Sequence, residues 1–123
     1  HAGKEDAVRI IIDFWGGDGS FAAMPEVVQA YCRQTAFSNV LDWHTAFSFN
    51  AKIDDYANLS MPVLLVRGAH ANKQMLVITE ALQTCIPNQR SAVIDGSGHF
   101  LITSHPNDCA IVLADFLREI ILE

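Results

Sequence analysis

The sequence predicts an α/β fold in which a helical segment is followed by a βαβ-α unit with parallel strands. Three observations carry that reading. Through residue 58 the apolar residues recur three and four apart, as they do along one side of a helix. At "MPVLLVRG", 61–68, the pattern changes to an unbroken apolar run from Val63 to Val66, the mark of a strand covered on both faces in a parallel sheet. A helical pattern, a second short β-branched run and a last amphipathic stretch follow, giving the order strand, helix, strand, helix.

In chain order, Lys4 to Trp15 places Ala7, Ile11 and Phe14 at helical spacing, with Asp6, Arg9 and Asp13 on another face and Glu5–Arg9 as a favourable i,i+4 pair. Val8 to Trp15 is β-branched enough that a strand is the alternative there. "GGDGS", 16–20, breaks this segment, because repeated glycines favour turn conformations that other residues avoid. Met24-Pro25-Glu26 opens a second helix with Pro25 in its first turn and Val28, Tyr31 and Cys32 on one side. A third helix covers 39–47, with Val40, Trp43 and Phe47 spaced three and four apart.

The first strand is followed by a helix over 72–84, then Pro87, then "SAVIDG", 91–96, as the second strand. Such a unit closes with a right-handed crossover. A last helix begins near Pro106 and carries Cys109, Val112, Phe116 and Ile120 on its buried stripe, opposite Asp108, Asp115 and Glu119. The compositional boundary near residue 60 divides the chain into a helical segment, 1–59, and an α/β segment, 60–123. There is no internal repeat and no long linker.

A chain of 123 residues, 50% of them apolar, is long enough for one ordinary domain. Its net charge of −6, from 14 acidic and 8 basic side chains, provides no basic stripe to follow a phosphate backbone, so nucleic acid is excluded as a partner. Cys32, Cys85 and Cys109 are odd in number and widely spaced, with no secretory leader ahead of them, and read as buried, reduced thiols of a cytoplasmic protein. Apolar runs such as Ile10–Ile12 and Ala110–Ala114 are far too short to cross a bilayer. The first residue is His1 rather than methionine, so a start that is processed, replaced or truncated is expected.

Two parallel strands leave both outer edges unpaired and cannot form a stable sheet by themselves. Further strands must come from a second copy, from another polypeptide, or from a front half misread as helical.

The chemistry centres on "VIDGSGHF", 93–100. A histidine in a Gly-Ser-Gly-His turn is, on the tetrapeptide alone, more often an ordinary loop residue. Its context raises its interest. Reactive groups in open α/β sheets collect at the carboxyl ends of strands, and His99 follows such an end, where an imidazole can pass protons both ways near neutrality. The stretch "MPVLLVRGAH" together with "IPNQRSAVIDGSGHFLITSHPNDCAIVLADFL" resembles the C-terminal part of the α/β-hydrolase fold superfamily, over residues 60–120. That family carries its catalytic histidine on the loop after the last strand, as Gly-x-Gly-His or Gly-x-x-His, followed by "HP" and a closing helix. Gly96, Gly98, His99, His105 and Pro106 match. "AVRIIIDFWGG" through "NVLDWHTAF" is similar to the end of the helical lid that such enzymes insert before the penultimate strand.

The chain departs from the family at two points. It holds no Gly-x-Ser-x-Gly nucleophile elbow. The place of the family's orienting acid after the penultimate strand, fourth from Gly68, is Ala71, beside Asn72. In a relative that takes its acid from an earlier strand, both missing members would lie in a preceding half. Ser97, Ser104 and Cys109 are local candidates to replace the nucleophile, but sequence neighbours rarely present an oxygen or sulfur to the imidazole, and Cys109 sits on a buried stripe. Asp95, at the end of the last strand, reads as a cap or brace of the turn rather than as the orienting acid. A metal site of His70, His99 and His105 lacks chelate spacing, and no metal or cofactor is expected. The aromatics Trp15, Phe21, Tyr31, Trp43, Phe47 and Phe49 are packing residues by spacing. The resemblance to a lid makes Trp15 and Trp43 the candidates to line an apolar substrate site.

The resemblance thus implies hydrolysis of an ester, lactone or related small apolar carbonyl compound, with His99 as acid and base and the isolated chain inactive. The alternative is a non-catalytic module that forms a homodimer through its unpaired strand edges. A third possibility is a fragment that needs its other half for stability.

Overall fold

A computed structural model describes residues 2–122, with side chains from Ala7 onward. The Glu5–Arg9 pair therefore lies outside the described residues. The chain forms two compact units, 1–51 and 52–123.

The first unit is helical: α1 (Ala2–Gly16), α2 (Ser20–Ala23), α3 (Glu26–Gln34) and α4 (Ala36–Ser48). α1 is a helix, not the alternative strand, but its inward face differs from the expected one. Val8 is buried and Ile12 and Trp15 are half-buried, whereas Ala7 is exposed and Ile11 and Phe14 are 36% and 48% exposed. Two apolar stripes run side by side on this helix, and the one bearing the larger ring of Trp15 turns inward. Asp13 belongs to that face because its Oδ1 accepts from the Phe21 backbone N–H at 2.8 Å, closing the glycine turn over buried Phe21. Gly17 and Gly19 provide the left-handed backbone of that turn, at φ 98° and 83°. The Arg33 guanidinium covers the Phe21 ring at 4.9 Å. α2 was not visible in the sequence, since a single turn shows no periodicity.

The second unit contains α5 (Ile53–Ala57), β1 (Val63–Gly68), α6 (Lys73–Cys85), β2 (Gln89–Ile94), α7 (Leu101–Ser104) and α8 (Pro106–Leu122). The sequence grouped residues 53–57 with the helical front, but α5 packs on α6 and clusters with the α/β unit. β1 and β2 pair in parallel, from Val63 with Gln89 to Gly68 with Ile94. Asn72 caps α6, accepting from the Met75 N–H at 3.0 Å.

β2 begins and ends two residues before the expected 91–96. The Val63 N–H donates to the Asn88 carbonyl at 2.9 Å, which draws polar Gln89 and Arg90 into the ladder. At the other end Gly96 takes φ 70° and turns the chain away. β1 is half-buried from Val63 to Arg67 rather than covered on both faces, because the described sheet has only two strands. α8 keeps Cys109, Val112 and Phe116 half-buried, while Ile120 is 37% exposed. The three cysteines are free thiols and half-buried, not buried. Among the described residues no helix is long and apolar enough to cross a membrane.

Candidate active site

Parallel pairing brings the carboxyl ends of β1 and β2 side by side, and the loops that leave them are tied together by backbone hydrogen bonds. The Ala69 N–H donates to the Ile94 carbonyl at 2.9 Å, and the His70 N–H donates to the Ser97 carbonyl at 2.8 Å. His99 sits on the second of these loops, half-buried, with its ring edge-on to Phe100 at 5.3 Å. Burial strips water from the imidazole and lowers its pKa from the ordinary 6.5, which favours the neutral ring. A neutral imidazole at the rim of a parallel sheet is in the right protonation state to accept a proton.

The other residues singled out by sequence occupy different places. Asp95 does not brace the turn by a side-chain hydrogen bond. It lines a shallow groove of about 300 Å³ with Val93, Ile94, Asp108, Ile111 and Val112. The bracing falls to Ser97, 1% exposed, whose hydroxyl donates to the Ile94 carbonyl at 2.9 Å. Ser97 is thus occupied as a structural donor. His70 is exposed in the loop after β1. The His105 Nδ1 lies 2.8 Å from the Ser104 hydroxyl, and its Nε2 faces Gly96. The Cys109 Sγ points to the Leu101 carbonyl at 3.7 Å. Among the described residues no group of histidines, cysteines or carboxylates is arranged to hold a metal ion. Asn72, beside the family's acid position, is engaged as the α6 cap.

In the helical unit Trp15 and Trp43 come together. Their rings stack at 5.5 Å, Trp43 stacks on Phe47 at 5.6 Å, and Phe14 meets Trp15 edge-on at 5.0 Å. The Trp43 indole N–H donates to Asn39 Oδ1 at 3.1 Å. Both tryptophans are half-buried, whereas Phe47 is 82% exposed.

No protein-family model matches the chain. A crystal structure of a serine hydrolase involved in carbazole degradation superposes with a TM-score of 0.65 at 16% identity, covering 94% of this chain and 47% of that one. The chain has part of the α/β-hydrolase fold. This partial α/β-hydrolase fold also matches the structure of BpoC of Mycobacterium tuberculosis, named as a non-heme bromoperoxidase, with a TM-score of 0.54 at 16% identity over 97% of this chain and 53% of that one. In sequence it is 34% identical over 87 residues to the pimeloyl-[acyl-carrier protein] methyl ester esterase of Aromatoleum aromaticum. The match takes in 71% of this chain and 34% of the esterase, so the chain spans about a third of its curated relative's length and half that of its structural neighbours.

Proposed function

We infer that this chain is the histidine-bearing, C-terminal portion of a serine-type hydrolase acting on esters, lactones or related small apolar carbonyl compounds. The observation that carries the reading is the placement of a half-buried imidazole at the carboxyl rim of a parallel strand pair, on the loop after β2. The likeness to an esterase and to a serine hydrolase supports the reaction class.

In that reaction the His99 imidazole takes the proton of a serine hydroxyl as the oxygen attacks the carbonyl carbon. It then gives the proton to the departing alkoxide, leaving an acyl-enzyme. A water molecule then gives a proton to the same ring as its oxygen attacks the acyl carbon, the acyl–serine bond breaks to release the acid, and the ring returns the proton to the serine oxygen. The scheme needs no cofactor. The serine and the orienting acid come from another stretch of polypeptide, because the sequence holds no nucleophile elbow. Trp15 and Trp43, with their apolar neighbours, are the lid-side residues proposed to line the acyl site. A cytoplasmic setting accords with three thiols that form no disulfide.

A fluorophosphonate probe tests the reading. The purified 123-residue chain is expected to remain unlabelled. Joined to the upstream half of an α/β hydrolase of this kind, it is expected to restore labelling of the elbow serine, and His99→Gln abolishes that labelling. Labelling of the isolated chain, or labelling of the joined protein that survives His99→Gln, overturns the reading.

A further inference from the structure

We propose that Gly68 and Ser97 are positioning residues that fix where His99 stands at the sheet rim. The contact they form joins positions far apart in the chain. Gly68 is the last residue of β1 and is buried. A Cβ added there would stand 2.4 Å from both the Gly98 and Ser97 carbonyl oxygens and 2.7 Å from the Ser97 carbonyl carbon. All three are backbone atoms, so no flexible side chain can yield, and any larger residue must push the 97–98 segment away. The turn before His99 therefore rests directly on the end of the neighbouring strand.

Ser97 locks this approach. Its hydroxyl donates to the Ile94 carbonyl, which also accepts from the Ala69 N–H, and its own carbonyl accepts from the His70 N–H. The result is a small crossed network in which each loop holds the other, with the only fully buried side chain among the described residues at its centre. The imidazole follows two residues later. A displacement at Gly98 passes straight to His99, and proton transfer tolerates misplacement of about half an ångström.

The functional meaning of this positioning rests on His99 being the acid-base group of the proposed hydrolase, but the test does not. His99 ring resonances and the His70 amide are followed by NMR in the 123-residue chain, for the parent, Gly68→Ala and Ser97→Ala, with Thr79→Ala as a control for lost stability on mid-α6. Gly68→Ala is expected to shift the His99 ring resonances, to raise its titration midpoint toward the ordinary 6.5, and to speed His70 amide exchange about tenfold or more. Ser97→Ala shifts the same signals to a smaller extent, and Thr79→Ala leaves the His99 signals in place. Should Gly68→Ala fail to fold, Ser97→Ala decides alone. Unchanged His99 and His70 signals in a folded variant overturn the proposal while leaving the fluorophosphonate result untouched.

Discussion

At the scale of the residue, His99 links burial to pH. Its folded pKa lies below 6.5 because part of its hydration is lost, so between the two values the unfolded chain binds the proton more tightly than the folded one. The contribution of this group to stability therefore rises as pH increases through that window. It is constant above 6.5, where the ring is neutral in both states, and at its least favourable below the folded pKa. His99→Gln removes the effect. Urea midpoints measured between about pH 5 and pH 7 are expected to fall less steeply toward acid in the variant than in the parent. Equal slopes would show that the ring is as well hydrated in the fold as outside it. The same depressed pKa suits the proposed role, since a base must be unprotonated when the serine proton arrives.

At the scale of the element, the legible parts were those with long repeating patterns. α6 and α8 are thirteen and seventeen residues long, enough turns for an apolar stripe to show. The single-turn helices α2 and α7 are four residues each and left no such trace. In α1 the period was right and the face wrong, because Ala7–Ile11–Phe14 and Val8–Ile12–Trp15 satisfy the same spacing, and only packing chooses between them. The Gly-Ser-Gly-His turn could be placed from sequence. The seat of that turn on Gly68 could not, since a backbone contact between distant segments leaves no side-chain pattern. Spacing also could not show that Trp15 of α1 and Trp43 of α4 would stack. That stack is expected to hold the helical unit: Trp43→Ala loses two ring contacts and the bond to Asn39, costing about 1–3 kcal/mol in a denaturant titration. Trp43→Phe keeps the stacking surface and costs less. An unchanged midpoint for Trp43→Ala would free these rings from a packing role.

At the scale of the whole molecule, the two strands indicate where a covering polypeptide would belong. β1 is apolar along most of its length and reads as an interior strand, while β2 begins with Gln89, Arg90 and Ser91, and its Arg90 pairs with Glu119 of α8, as befits an outer edge. Added strands are thus expected on the β1 side, from the polypeptide proposed to bear the nucleophile. Amide exchange distinguishes the possibilities: β1 N–H groups that do not donate to β2 exchange fast in the isolated chain and become protected when the upstream half is joined. Native mass spectrometry of the chain alone then shows a monomer. A stable homodimer with the same amides already protected would mean that the edge is satisfied by a second copy, and that the fold persists as an assembly module rather than as half of an enzyme.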